Sequence, residues 1–136
     1  MGQVLRVVYW AGPLCTQAER DWNVRISRGL REAGFDVILP QERGQERIRP
    51  GEPLPVRGLY EYALDGIRQA DVVVAVLDGP DPDSGTSFEW LRSRAAQTRH
   101  GLRTDFPLGG DDVTDNVNLM LSQAAHAFVH VASDNP

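Results

Sequence analysis

The sequence predicts an α/β fold of the doubly wound kind, in which helices flank a parallel sheet within a single domain of residues 1–136. Three observations favour this fold. Apolar segments typical of strands alternate along the chain with segments of helical periodicity, as parallel sheets require. One segment, Val72-Val73-Val74-Ala75-Val76, is apolar at every position, which is expected of a fully buried strand. A chain of 136 residues is also long enough for one domain with a sizeable core.

The first part of the chain carries the signals of a helix between two strands. Residues 4–10 predict the first strand. Thr16 and Glu19 fit a capping box at the start of a helix, and Gly34 suits the C-cap of the same helix. The apolar residues that recur between these caps at helical spacing are Trp22, Ile26, Leu30 and Ala33. A second strand is expected over residues 35–39.

The rest of the chain continues the alternation after one long interruption. Residues 40–57 are rich in Pro, Gly, Arg and Glu, which predicts a long surface loop, and such loops in compact domains are often functional lids. A helix is expected over residues 60–69 and a strand over 71–77. The next helix is expected from 86 to about 99, with arginines on its outer face, followed by a weak strand over 101–103. A loop over 104–115 and a helix from 116 to about 131 complete the prediction.

Composition and charge exclude several classes of function. The formal net charge of −5 argues against binding to nucleic acid or to an anionic membrane. No apolar run is long enough to span a bilayer, and the N-terminal run lacks the features of a signal peptide, so a cytoplasmic location is expected. Cys15 is the only cysteine, which excludes an internal disulfide and a thiolate metal cluster. All 14 basic residues are arginines, which excludes a lysine Schiff base and a Walker-type phosphate loop.

Carboxylates concentrate directly after the third predicted strand. Asp78, Asp81 and Asp83 follow this strand, and Glu89 falls in the first turn of the next predicted helix. Because open α/β sheets bind ligands outside the carboxyl ends of their strands, these groups are expected where a small molecule would bind. Glu89 is the best candidate nucleophile, although the segment from Thr86 to Glu89 also fits a capping box. The aspartates are also typical of turns, and a Mg²⁺ or Ca²⁺ site is a third interpretation.

Other side chains with chemical potential lie along the chain. Tyr9, at the carboxyl end of the first predicted strand, is expected either to reach Glu89 with its hydroxyl or to be a core aromatic. His126 and His130 are four residues apart on the last predicted helix and could pair on a metal, but no third ligand is evident. Cys15 precedes a helix, where a thiolate is favoured, or it is a small packing residue.

Six segments together resemble the nucleoside 2-deoxyribosyltransferase family, in the family's order and with similar spacing. They are YWAGPLCTQAE at 9–19, VILPQ at 37–41, ADVVVAVLDG at 70–79, DSGTSFE at 83–89, GLRTDF at 101–106 and VNLM at 117–120. The resemblance implies a flavodoxin-like fold with a five-stranded parallel sheet. It also implies small-molecule nucleosides and free nucleobases as partners, and it implies no metal or organic cofactor.

The resemblance also assigns roles in catalysis. Glu89 would be the nucleophile on the anomeric carbon of a 2-deoxyribonucleoside, and Tyr9 would hold this glutamate. Asp83 would contact the leaving base. A carboxylate nucleophile suits the chemistry, because attack on the sugar gives a covalent glycosyl-enzyme through a transition state of oxocarbenium character. Attack by a second base would complete the transfer with overall retention of configuration.

The same resemblance implies a set of substrate-binding residues. This set is Gly12, Leu14, Gln41, Gly85, Asn118 and Met120. Gln41 would contact the base. Asn118 and Met120 match residues that complete the site of a neighbouring subunit, so a homo-oligomer with shared active sites is implied.

Two positions depart from the family pattern. Ala63 stands where the family usually has an aspartate that assists proton transfer to the base, and Asp65 and Glu61 lie on other faces of the helix. Leu91 stands where the family usually has a glycine, which predicts crowding against the sheet. Two alternatives to transfer therefore stay open: hydrolysis of the N-glycosidic bond, and non-catalytic nucleoside binding. The apolar loop at residues 11–15 favours a nucleoside over a nucleotide as ligand.

Overall fold

One sheet of five parallel strands organises the residues that the computed structural model describes, which are 6–79, 82–93, 97–104 and 118–130. The strands are β1 (Val7–Ala11), β2 (Asp36–Ile38), β3 (Val72–Val76), β4 (Thr98–Arg103) and β5 (Ala127–His130). The helices are α1 (Gln17–Glu32), α2 (Pro40–Gly44), α3 (Val56–Gln69), α4 (Ser84–Leu91) and α5 (Leu119–Ala124). The strand order is β2-β1-β3-β4-β5, which confirms the predicted doubly wound, flavodoxin-like fold.

The two faces of the sheet are covered by different helices. Tyr9 packs with Ile67 of α3, Trp90 of α4 and Leu121 of α5 in one core cluster. The next residue of β1, Trp10, points to the opposite face and packs against the apolar stripe of α1. This alternation follows from the two-residue period of a strand. Helices on both faces place the carboxyl ends of β1, β3 and β4 at one open edge of the layers.

The first helix confirms its predicted start and corrects its predicted end. The Thr16 Oγ1 accepts a hydrogen bond from the Glu19 N–H at 3.1 Å, and the Thr16 N–H donates to the Glu19 carboxylate at 2.7 Å. Ala33 rather than Gly34 is the C-cap, and Ala33 is exposed instead of buried in the stripe. Gly34 follows with a φ of +95°, the left-handed conformation that glycine adopts without strain.

The prediction of a continuous loop over residues 40–57 is wrong. Helix α2 starts at Pro40, a 3₁₀ helix follows at Gln45–Arg47, and α3 begins at Val56, four residues before its predicted start. Pro40 suits the first helical position, because its fixed φ is helical and its missing N–H has no partner there anyway. Two charge-assisted bonds from Arg31 to the Glu42 carboxylate, at 2.8 and 2.7 Å, hold α2 against α1.

The helix after β3 is shorter than predicted and begins earlier. Asp83 is its N-cap and accepts from the Thr86 N–H at 2.9 Å, so the capping box from Thr86 to Glu89 is wrong. Glu89 consequently lies beyond the first turn. The helix ends at Leu91 instead of near Arg99, which belongs to β4. Strand β4 is therefore six residues long and not the weak segment expected.

The predicted final helix is confirmed only over α5, which ends at Ala124, and its predicted second half is wrong because the chain continues into β5. Gly101 of β4 pairs with Phe128 of β5, and a Cβ at Gly101 would lie 2.6 Å from the Phe128 ring. His126 precedes β5 and His130 lies within it, so the predicted helical histidine pair is also wrong. The parts of predictions that fall on Asp81 and on residues 4–5, 94–96, 105–117 and 131 lie outside the described residues.

No helix in the described part of the chain is both long enough and apolar enough to cross a membrane.

Candidate active site

A cavity of about 440 Å³ opens at the carboxyl ends of β1, β3 and β4. Its walls come from the loop after β1, the first turns of α1, and the segments that follow β3 and β4. The residues that line it are Pro13, Cys15, Ala18, Glu19, Trp22, Asn23, Asp78, Asp83 and Thr104. This is the edge at which open parallel sheets bind their ligands.

A larger cavity of about 640 Å³ lies elsewhere, between α2, α3 and the edge strand β2. Its lining includes Arg31 and Glu42, which already bind each other, and it includes none of the predicted catalytic residues. The smaller cavity is the better candidate for the active site, because it contains Asp83 and lies at the carboxyl ends of the strands.

Tyr9 and Glu89 interact with each other, although neither is among the residues that line the cavity. Tyr9 is fully buried in the middle of β1, so its ring is a core aromatic while its hydroxyl interacts with the Glu89 carboxylate of α4. Burial raises the pKa of Glu89 to about 7, the Tyr9 hydroxyl opposes this rise, and the charge of Asp83 adds to it. The Tyr9 hydroxyl acts on the Glu89 carboxylate as a hydrogen-bond donor, although the bond is longer or less well aligned than usual.

The electrostatics of this pair define what each group can do. Burial, followed by the nearby Glu89 charge, raises the pKa of Tyr9 far above its usual range, so the phenol stays neutral and keeps its proton. Glu89 titrates near neutral pH and is only partly solvated. A desolvated carboxylate beside a neutral O–H donor is an arrangement suited to a nucleophile.

Gly66 allows α3 to approach Tyr9 closely. A Cβ at Gly66 would lie 2.8 Å from the Tyr9 ring and 3.2 Å from Ile38, closer than the buried ring can tolerate without moving. Glycine at this position therefore lets α3 pack directly against the Tyr9 ring.

Gly66→Ala is expected to lower the free energy of unfolding by about 1–3 kcal/mol, the usual cost of overpacking a core, in urea titrations. Gly58→Ala on the same helix is the matched control, because a Cβ there meets nothing within 4 Å. The control is expected to stabilise by about 0.5–1 kcal/mol through helix propensity. Equal effects of the two substitutions would contradict a special role for Gly66.

Asp83 and Asp78 both line the cavity but make different hydrogen bonds. The Asp83 Oδ2 accepts hydrogen bonds from both the N–H and the hydroxyl of Thr86, each at 2.9 Å, and caps α4. This leaves the Asp83 Oδ1 outside the cap, on an exposed side chain that lines the cavity. Both Asp78 oxygens instead accept from Thr104, from its N–H and its hydroxyl at 2.6 Å each. Asp78 therefore ties β3 to β4.

None of the six residues expected to bind substrate is among the residues that line the cavity, although Gln41 and Gly12 contact Asn23, which does line it. The Gln41 Nε2 donates to the Arg20 carbonyl at 2.9 Å, and the Gln41 Oε1 accepts from the Asn23 Nδ2 at 3.2 Å. Gly12 lies against Asn23, since a Cβ there would be 2.9 Å from the Asn23 Oδ1. Leu14 is exposed, and Gly85 lies in the first turn of α4.

Asn118 and Met120 lie apart from the cavity within a single chain. The Asn118 Oδ1 accepts from the Met120 N–H at 3.0 Å and caps α5, while the Met120 side chain is 70% exposed.

Leu91 is 49% exposed, so the expected crowding against the sheet is wrong, and the fully buried Trp90 takes that place in the core. Ala63 is half-buried on the face of α3 that carries Gly66, one turn closer to the carboxyl edge.

Sequence reasoning missed most residues that line the cavity, and three of these residues share one face of α1. Glu19, Trp22 and Asn23 follow the N-cap of α1 at positions i, i+3 and i+4, and this spacing places them on one helix face. Cys15 also lines the cavity and is exposed, so its interpretation as a packing residue is wrong. Across the described ranges, no group of three His, Cys, Asp or Glu side chains is arranged to hold a metal ion.

The fold and the cavity place the chain among α/β proteins that bind a small ligand at the carboxyl end of a parallel sheet. The sequence profile of the nucleoside 2-deoxyribosyltransferase family matches residues 8–120, and the chain belongs to this family. A search of curated proteins finds no significant relative.

Solved structures share the fold at low sequence identity. A 2-deoxyribosyltransferase from Bacillus psychrosaccharolyticus is 20% identical with a TM-score of 0.72, over 90% of this chain and 85% of that one. A 2-deoxyribosyltransferase from Leishmania mexicana is 18% identical with a TM-score of 0.68, over 90% and 89%. A CMP N-glycosidase from Clostridium botulinum is 14% identical with a TM-score of 0.56, over 96% and 91%.

Proposed function

We propose that the chain, acting as one domain, transfers 2-deoxyribose between nucleobases through a covalent glycosyl-enzyme on Glu89. The observation that carries the proposal is the interaction of the half-buried Glu89 carboxylate with the fully buried Tyr9. Membership of the nucleoside 2-deoxyribosyltransferase family supplies the class of substrate.

The proposed reaction has two displacements. The ionised Glu89 oxygen bonds to the anomeric carbon while the bond from that carbon to the base nitrogen breaks, and the base departs with the electron pair and gains a proton. Asp83, whose Oδ1 is not used by the helix cap, supplies or relays this proton. A nitrogen of a second base then bonds to the same carbon while the bond from that carbon to Glu89 breaks, and the proton of this nitrogen passes to Asp83 or to solvent. The two displacements together restore the original configuration.

Tyr9 serves the nucleophile in this scheme. Its phenol stays neutral at any physiological pH, so the O–H is always available as a donor to the Glu89 carboxylate. Because β1 and Gly66 fix the ring, this donor holds the carboxylate in one place before attack. Tyr9 also opposes the effect of burial on Glu89, which increases the ionised fraction at neutral pH.

The lining of the cavity supports a nucleoside rather than a nucleotide as substrate. Its ionisable side chains include Glu19, Asp78 and Asp83, and no arginine is among the described residues that line it. Carboxylates repel a phosphate, whereas nucleotide sites require cations or a helix N-terminus free of acidic groups. Trp22 and Pro13 supply flat apolar surface suited to the face of a base.

Incubation with deoxyinosine, with and without adenine, tests the proposal. Deoxyribosyl transfer gives deoxyadenosine only when adenine is present. Hypoxanthine released at the same rate without adenine would instead identify an N-glycosidic hydrolase, and no product in either reaction would indicate a non-catalytic nucleoside-binding module.

A homo-oligomer with shared active sites is expected. Leu119 is 47% and Met120 is 70% exposed on α5, and a neighbouring chain is proposed to receive them at its own site. Light scattering at micromolar concentration should give a multiple of 15.1 kDa. Met120→Glu should lower both the measured mass and the turnover, whereas Glu61→Gln on exposed α3 surface should change neither. A wild-type mass of one chain would contradict the expectation.

A further inference from the structure

Asn23 is a buried polar side chain that joins three parts of the candidate site. Only 1% of its surface is exposed. Its Oδ1 accepts a hydrogen bond from the Trp10 Nε1 at 3.0 Å, and its Nδ2 donates to the Pro13 carbonyl at 3.1 Å and to the Gln41 Oε1 at 3.2 Å. Asn23 thus connects β1, the loop after β1 and helix α2.

These bonds occupy both N–H groups of Asn23. A side-chain amide has two donor hydrogens and an acceptor oxygen, and here the donors go to Pro13 and Gln41 while the oxygen receives Trp10. Asn23 therefore has no hydrogen left to donate to a ligand, although it lines the cavity. Any effect of this residue on a ligand has to act through its partners.

The network also fixes which way each amide points. The indole Nε1 of Trp10 can only donate, so the Asn23 oxygen must face Trp10 and its NH₂ group must face Gln41. Gln41 must then present Oε1 to Asn23 and Nε2 to the Arg20 carbonyl, which accepts at 2.9 Å. A flip of either amide would bring two acceptors together at Pro13 or Arg20, which leaves buried groups unsatisfied.

The absence of a side chain at Gly12 leaves room for the hydrogen bond between Trp10 and Asn23. A Cβ at Gly12 would lie 2.9 Å from the Asn23 Oδ1 and 3.1 Å from the Trp10 Nε1, directly against the bond that orients the amide. The same glycine belongs to the loop whose Pro13 lines the cavity. The loop conformation and the amide orientation therefore depend on each other.

We propose that Asn23 is a positioning residue that sets base preference by locking the orientation of the Gln41 amide. After its bonds to Asn23 and Arg20, Gln41 retains one N–H on Nε2 and one lone pair on Oε1. These two bonds fix the directions of both groups on a half-buried side chain. A base whose edge offers the complementary acceptor and donor is selected over one with the opposite pattern. The inference rests on the proposed function, because it takes Gln41 as a side chain that contacts the base.

Asn23→Asp tests the lock with little change of shape. A carboxylate still accepts from Trp10, but it has no hydrogen for Pro13 and faces the Gln41 Oε1 with a second acceptor. The measurement is the ratio of kcat/KM for deoxyinosine, whose base carries a 6-oxo acceptor, to that for deoxyadenosine, whose base carries a 6-amino donor. This ratio is expected to change by about tenfold or more, the factor associated with one unsatisfied hydrogen-bonding group.

Gln41→Ala provides the background that separates positioning from simple damage. If Asn23 acts through Gln41, Asn23→Asp should leave the ratio unchanged in the Gln41→Ala protein, although it still weakens the fold there through Pro13. A merely structural role would reduce both substrates equally in either background. That result, in variants shown to be folded by thermal unfolding, would overturn the proposal.

Two further readouts do not depend on turnover. In the wild-type protein, hydrogen exchange followed by NMR should show that one Gln41 side-chain amide proton is protected by its bond to the Arg20 carbonyl. Exchange of both Gln41 side-chain amide protons at the rate of an exposed amide overturns the proposal, even if Asn23→Asp does not fold. Titration with adenine and hypoxanthine, followed by tryptophan fluorescence, should show the same change of preference. Wild-type binding of these bases without turnover would refute the transferase while leaving this test intact, and absence of binding would refute both.

Discussion

Glu89→Gln is expected to reduce turnover of deoxyinosine by a factor on the order of 10⁴ or more while the protein stays folded. The amide has the shape of the carboxylate but cannot form the covalent glycosyl-enzyme, and loss of a nucleophile removes the whole pathway that depends on it. Steady-state kinetics with adenine as acceptor measure the effect. Glu61→Gln is the matched control, because Glu61 is an exposed partner of Arg57 on α3 and should leave turnover unchanged.

The same variant is expected to be more stable than the wild type at high pH. Glu89 ionises near pH 4.5 when unfolded and near pH 7 when folded, chiefly because of burial, so between these values the folded state binds more protons. The stability of the wild type therefore falls as pH rises through about 7. Glu89→Gln avoids this loss, with a gain of at most about 3 kcal/mol at pH 8. The gain should vanish below pH 4.5.

Urea titrations at pH 4.5 and pH 8 check this behaviour, and the pH–rate profile checks it independently. Turnover by the wild type should rise with pH through about 7, as the nucleophile loses its proton. Undiminished turnover by Glu89→Gln would refute the nucleophile. A variant that is less stable than the wild type at pH 8 would refute the raised pKa of Glu89.

Ala63→Asp is expected to accelerate departure of the base, with an upper range of about 10²–10⁴-fold for a positioned acid–base group. Ala63 lies one helical turn from Gly66, on the face of α3 that meets Tyr9, so a carboxyl group there would project toward the site. The gain should be largest for bases that leave poorly without protonation. It should decrease at high pH, where the new carboxylate has no proton to give.

The release of hypoxanthine and adenine from their deoxyribonucleosides measures this effect, with Asp65→Ala as a control on the exposed face of α3. A carboxylate added near Glu89 would also raise the pKa of Glu89 further through repulsion, which works against the gain. A rate that is unchanged or lower, in a variant that folds, would show that Ala63 is not a catalytic gap and that Asp83 is sufficient.

The parts of the fold that were predictable from sequence are those set by neighbouring residues. The run at Val72–Val76 and the capping box of Thr16 and Glu19 are local patterns, and both are present in the structure. Helix α2 depends on the contact of Arg31 with Glu42, and β5 depends on pairing with β4 and on the room that Gly101 leaves for Phe128. These contacts join distant residues, so no local period indicates them.

In the candidate site, too, the features set by local sequence were predictable and those created by distant contacts were not. The positions of Asp83 and Glu89 after a buried strand, and the family resemblance, were enough to single them out and to pair Glu89 with Tyr9. The pKa of Glu89 required the packed structure, since burial is its main cause. Asn23 gave no signal, because a polar residue on a helix is usually exposed, and its importance comes from bonds to Trp10 and Gln41 that only the fold creates.

The salt bridge between Arg31 and Glu42 has a consequence beyond holding α2 in place. Strand β2 is an outer strand, and the Asp36 N–H faces β1, so the backbone of Val37 faces outward. The Arg31 Nη2 donates to this outward Val37 carbonyl at 2.9 Å. An extended segment from another molecule would find that acceptor occupied and two charged side chains in its way. The sheet is thereby protected at this end against edge-to-edge aggregation.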